Sequence, residues 1–160
     1  MKALSHQLLT LIDAAGPIFA QVGEDESLLP LRTGGWSRKQ LVGHLIDSAS
    51  NNHQRFVRAT LQSQLNFPGY DQNGNVRAQN FQHASWPLLV SLWRSYNQFL
   101  AHVIAHLPQD KLQTACRIGV ENPVTLEYLA TDYVAHLSHH LSQMGIQQGI
   151  PQLARTNEPS

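Results

Sequence analysis

The chain has 160 residues, a length that one domain with a sizeable core accounts for. Basic and acidic residues balance at 11 each and charged residues make up 14% of the chain, so it has no electrostatic footprint for nucleic acid or an anionic membrane. The single Cys116 excludes an internal disulfide, and no apolar run is long enough to span a bilayer.

Residues 1–7 lack the apolar core of a signal peptide, and together with the lone cysteine this predicts a soluble cytoplasmic protein. Leu4, Leu8, Leu11, Ile12, Ala15, Phe19 and Val22 recur with the spacing of a helix over residues 3–22. Gly16-Pro17 inside it predicts a kink or short break. Residues 23–35 read as a loop. Ser37 and Gln40 then form a capping box, with Trp36 and Leu41 placed as a hydrophobic staple. The second helix runs from there to about residue 62. Its inner stripe is Leu41, His44, Leu45, Ser48, Asn52 and Phe56, with Asp47, Asn51 and Arg55 alongside. Gly43 beside His44 leaves room for a neighbouring backbone or a ligand.

Residues 63–84 form a long polar connection with turns at Pro68-Gly69 and Asn73-Gly74 and a short helix over 76–82. A connection of this length serves either as a pocket wall or as a solvated crossover. Ser85 caps a third helix whose stripe is Leu88, Leu89, Leu92, Trp93, Tyr96, Phe99, Leu100, Val103 and Leu107, ended by Pro108. Residues 109–124 are a second irregular connection. Thr125 caps a fourth helix that runs to about residue 148, with Gly149 as terminator. Nothing reads as a strand. The expected fold is all-α: an antiparallel four-helix bundle with long crossover connections, in one domain over 1–150, followed by a flexible tail over 151–160.

His136 and His140 are four apart in the last helix, so their imidazoles share one face, among Leu129, Tyr133, Leu137 and Met144. Buried imidazoles need partners, and a metal ion is one. The alternative is a pair of core histidines bonded to side chains. Among nine histidines such a spacing arises by chance roughly half a time per chain, so a third ligand is required. His44, on the inner stripe of the second helix, supplies it. Three imidazoles from two helices leave open coordination positions, the arrangement of a catalytic rather than a closed structural site. Neutral imidazole suits one divalent transition metal, be it zinc, nickel, copper or iron, and the spacing does not choose between them; zinc or nickel is the working expectation. No carboxylate takes a ligand position, and no Glu stands inside the histidine pair, which excludes the zinc-protease motif. Asp47, one turn from His44, is a candidate to orient it or to accept a proton. Asn51 and Arg55 are candidates to hold an anionic substrate group, against the reading of ordinary surface helix residues. His6, His53, His83, His102 and His106 read as surface or edge residues. Cys116 lies away from these motifs and is not cast as a nucleophile.

The run Trp36-x7-His44-Leu-Ile-Asp47-Ser48-x2-Asn51-Asn52-x2-Arg55-Phe56, followed downstream by His136-x2-His139-His140-x2-Gln143, resembles the DinB/YfiT-like superfamily. Pro68-Gly69-Tyr70-Asp71 is also similar to a loop of the YfiT-like branch. The resemblance covers nearly the whole chain. It implies a four-helix bundle with a three-histidine metal site, whose ligands fall on His44, His136 and His140. It also implies metal-dependent hydrolysis, or S-transfer with a low-molecular-weight thiol as co-substrate, on a small molecule. The same branch often carries His where this chain has Gln143, which leaves Gln143 a pocket or supporting group. A homodimer is compatible with this reading, and so is a non-catalytic bundle that binds a metal or small ligand.

Overall fold

The computed structural model describes residues 1–146. Four long helices dominate: α1 (Lys2–Gln21), α3 (Arg38–Thr60), α5 (Trp86–Ala105) and α6 (Leu126–Gln143). The connections hold the short helices α2 (Glu24–Ser27) and α4 (Gln72–Ala78) and three strands, β1 (Gln64–Phe67), β2 (Ala115–Ile118) and β3 (Val124–Thr125). The expected helix starts are built as their sequences dictate. The Ser37 hydroxyl accepts from the Gln40 amide at 3.2 Å, while the Gln40 side chain accepts from the Ser37 amide at 3.0 Å. Ser85 and Thr125 accept from the amides of Leu88 and Tyr128 at 3.3 and 3.1 Å. α1 continues through Pro17 without a break. The inner face of α5 is Leu89, Trp93, Asn97, Leu100 and Ile104, whereas Leu88, Leu92 and Phe99 of the broad apolar stripe are exposed.

The helix directions follow from side-chain pairs. Ser5 donates to the Ala101 carbonyl at 2.7 Å, and the Phe19 ring meets Trp86 edge-on at 5.5 Å, so α1 and α5 are antiparallel. His44 meets His140, and Phe56 meets Tyr133, so α3 and α6 are antiparallel too. Ile18, Val22, Arg38 and Met144 surround one small cavity. Hence α1 and α6 end where α3 and α5 begin, and α3 runs parallel to α5. The chain between them must return along the whole bundle, roughly 30 Å at 1.5 Å per helical residue. That is the physical reason the connection over residues 61–85 is long. The four-helix bundle with crossover connections is therefore present. Among the described residues no helix is long and apolar enough to cross a membrane.

Besides the unbroken α1, the helix α2 within a stretch read as loop, and α4 at Gln72–Ala78 in place of 76–82, three features depart from the sequence reading. The connections hold a small sheet of order β1-β2-β3, with β1 and β2 parallel and β2 and β3 antiparallel. Its strands do alternate, with Leu65 and Cys116 buried between exposed neighbours, but over runs too short to separate from loop. Second, α6 ends at Gln143 and not near residue 148. Gly145 (φ +81°) takes the left-handed position, and the amides of Gly145 and Ile146 close on the carbonyls of Ser142 and Leu141, each at 3.0 Å. This is a Schellman motif sealed by buried Ile146. The expected terminator Gly149, the domain edge at residue 150 and the tail over 151–160 lie outside the described residues. Third, the space beside Gly43 is filled by the Phe81 ring, not by backbone or ligand; a Cβ there would stand 2.2 Å from the ring.

This contact makes Gly43→Ala a test of the packing. Helix propensity alone favours Ala by about 1 kcal/mol, but the clash should reverse the sign and cost about 1–3 kcal/mol. Urea denaturation of Gly43→Ala, Phe81→Ala and the double variant checks this. The double variant should lose less than the two single losses added, and a stabilised Gly43→Ala would exclude the contact.

Candidate metal centre

The antiparallel contact of α3 with α6 brings His44 against His136 and His140. The Nε2 atoms of His44 and His136 are 3.2 Å apart, and those of His136 and His140 are 3.1 Å apart. Each of the three histidines offers a nitrogen, all within 4.8 Å of one another, and no other such group of His, Cys, Asp or Glu occurs among the described residues. Nitrogens about 2.0–2.1 Å from a zinc ion at tetrahedral angles stand about 3.3 Å apart. The observed spacing fits a shared divalent ion, and so does the chemistry of the donor set. All three residues expected as ligands are brought together.

The outer nitrogens decide which atoms face inward. His140 Nδ1 lies 3.0 Å from Gln143 Oε1, and the Gln143 amide nitrogen lies 3.0 Å from His139 Nε2. An amide oxygen only accepts, so His140 carries its proton on Nδ1 and turns an unprotonated Nε2 toward His136. Gln143, with His139 behind it, thus holds a ligand in its binding tautomer. His136 Nδ1 has the Ser48 hydroxyl at 3.5 Å. His44 is buried, its ring packs on Trp36 at 4.9 Å, and its Nδ1 has no partner. Burial first, and then the neighbouring His140, push His44 down to about 4. It is neutral at pH 7, as a ligand must be.

Asp47 does not orient His44. Its Oδ1 accepts from the Gln79 side-chain amide just after α4, because the Asp47 side chain leaves α3 toward that segment. Its Oδ2 is buried without a partner, and burial raises its carboxyl above the usual range. The Asn51 side-chain amide donates to the Asp47 backbone carbonyl of its own helix at 3.0 Å, and Asn51 is not among the residues that line the cleft beside His136. Arg55 does reach a cleft. A space of about 580 Å³ runs between α3 and α6 with His136 in its wall. Ser48, Asn52 and Arg55 line one side, Leu129, Asp132 and Tyr133 another, and the loops around Tyr70 and Val120 the mouth. Cys116, expected away from the motifs, lies on β2 in the wall of this cleft. The wall formed by the sheet is what sequence reasoning missed; its one signal was the alternation of Leu65 with Phe67 and of Cys116 with Ile118.

Two outcomes follow. The protein, expressed without a His tag, should hold one divalent ion per chain by mass spectrometry of the metal. His44→Ala, His136→Ala and His140→Ala should each hold far less, while His53→Ala holds the same; equal content in all would exclude the centre. In metal-free protein, an unfolded histidine gains its proton near pH 6.5, whereas folded His44 refuses it until about pH 4. Folded stability therefore falls as pH drops through that window, by about 3 kcal/mol for this one group, and the loss is complete below it. His44→Gln should flatten the fall in denaturant titrations, and an unchanged slope would contradict the assignment.

Comparison with known proteins agrees with this geometry. A protein of Bacillus pumilus (strain SAFR-032) named "Putative metal-dependent hydrolase" is 30% identical over 147 residues, covering 90% of this chain and 82% of the relative. A second protein so named, from Oceanobacillus iheyensis, is 21% identical over 140 residues, covering 88% of this chain and 80% of the relative. YfiT from Bacillus subtilis, described as "a probable metal-dependent hydrolase with an unusual four-helix bundle topology", superposes with a TM-score of 0.77 at 22% identity. That match covers 89% of this chain and 82% of YfiT, and it establishes the shared fold. Residues 7–144 match the profile of the DinB superfamily, to which this chain belongs.

Proposed function

We propose that the protein is a metal-dependent hydrolase of a small molecule, with zinc or nickel held by His44, His136 and His140. The observation that carries this reading is the convergence of three imidazoles, with His136 Nε2 at 3.2 and 3.1 Å from those of His44 and His140 and all three within 4.8 Å, beside a cleft of about 580 Å³, large enough for a small-molecule substrate. Three neutral ligands leave such an ion free to polarise a carbonyl and to activate water, or a low-molecular-weight thiol, at neutral pH.

The chain's own residues set the rest. Gln143 fixes the His140 tautomer, and Ser48 sits beside His136. Asp47 acts as proton acceptor: Gln79 holds one carboxylate oxygen still, the other is uncommitted, and burial brings its pKa closer to the working range of a general base. Cys116 stays a thiol, because burial pushes its pKa up and its Sγ contacts the Thr114 carbonyl at 3.3 Å. Any thiol chemistry therefore draws on an external thiol.

A panel of small esters and amides, assayed with and without an added low-molecular-weight thiol, tests the proposal. Turnover should require the metal, vanish in His140→Ala and survive in Cys116→Ser. Asp47→Asn should keep its metal but lose about 10²-fold or more in kcat, the scale of a lost general base. Turnover seen only with added thiol would reassign the reaction to S-transfer. Metal-loaded protein inert across the panel would favour a non-catalytic binding bundle.

A further inference from the structure

We infer that Arg55 anchors an oxyanion, a carboxylate or phosphate, on the substrate of this cleft, away from the bond that reacts. The inference rests on the proposed function for the word substrate, but the anion site itself stands on Arg55.

The guanidinium is held in place yet left without a counter-charge in contact. It lies over the Phe67 ring at 5.5 Å, and its one hydrogen bond is a long one, 3.4 Å to the Asn52 side-chain oxygen. Its Nε is buried with no partner. Arg55 makes none of the ion pairs found among the described residues; Asp132 and Tyr70 act on it through space across the cleft. A half-buried cation with unused donors is costly unless something occupies it. Arg38, by contrast, is bridged to Glu26 at 3.0 Å. The planar fork of donors matches a carboxylate or phosphate, and the aromatic ring beneath preorganises it.

Position supports the same use. Ser48 touches His136, and Arg55 lies seven residues further along α3, about 10 Å by helical rise. The oxyanion and the reacting group are thus held at separate points of one cleft. Ile118, Val124, Leu129 and Tyr128 give it an apolar wall. The substrate class is a small amphipathic molecule: an anionic end at Arg55, an apolar body along that wall, and a reactive group beside the histidines.

Calorimetric titration of 4-phenylbutanoate, phenyl phosphate and neutral 4-phenylbutanamide tests this. Carboxylates also bind metals, so wild-type protein stripped of metal and His140→Ala are titrated beside the loaded protein. The anionic probes should bind all three forms about tenfold or more tighter than the amide, as charge-assisted bonds to guanidinium do. Arg55→Gln should abolish the preference, and Arg55→Lys should keep part of it. Added chloride should weaken anion binding in wild type, a readout that needs no variant to fold. Equal affinity for amide and anions in wild type, binding of no probe, or an unchanged preference in Arg55→Gln would overturn the inference. An intact preference in a protein that hydrolyses nothing would leave the anchor and refute the hydrolase.

Discussion

The antiparallel packing of α3 on α6 is the constraint on which the rest depends. Sheer helical periodicity puts His136 and His140 on one face of α6, but only the partner helix supplies a third nitrogen. Opposed directions matter here. They pair His44, early in α3, with His140, late in α6, and they pair Phe56 with Tyr133 at the other end of the seam. The apolar contacts at that far end fix the register that lets three imidazoles converge. Leu45 of α3 and Leu137 of α6 are both almost wholly buried in the same core. The site is thus a consequence of core packing and not an addition to it.

The crossover completes what the seam begins. Because α3 and α5 run parallel, residues 61–85 pass the open side of the α3–α6 pair on their way back. Three contacts fasten this segment to α3. Phe81 fills the notch of Gly43, Gln79 holds Asp47, and Gln82 accepts from the Ser37 hydroxyl at 2.6 Å. Further along, β1 pairs with β2, and Gly119 (φ +60°) lets the loop after β2 approach Gly69 backbone to backbone. These pieces wall the cleft. Topology forces a long connection, and the connection becomes the container.

The legible parts of the sequence were those governed by local rules. Ser37 and Gln40, Ser85 and Thr125 announce helix starts, since capping needs only neighbours within one turn. The shared face of His136 and His140 was legible because spacing on one helix is fixed, and the place of His44 on the inner stripe of its own helix was legible for the same reason. What failed to show required partners distant in sequence. The alternation in β1 and β2 becomes meaningful only when the two strands pair across some fifty residues. Phe81 could not be matched to Gly43, nor Gln79 to Asp47, without the fold. Cys116 looked remote from the motifs because the chain, not the space, separates it from His136. Gly145 as helix terminator is not legible locally, because the buried Ile146 that seals the motif gains its meaning only from the packed core.

The centre also explains why its residues are poor choices for stability alone. His44 is buried with an unpartnered Nδ1, and its Nε2 faces His136 Nε2 across 3.2 Å. Two neutral imidazoles can share one proton there, but the buried Nδ1 of His44 stays unused. An apolar residue at position 44 would pack without that cost. An ion that binds the folded state repays it by mass action, adding RT ln(1 + [M]/Kd) to stability. The same logic applies to Arg55, whose buried Nε is idle until an anion arrives. His44 Nδ1 and Arg55 Nε are two buried polar atoms without a hydrogen-bond partner, which stability alone would not favour.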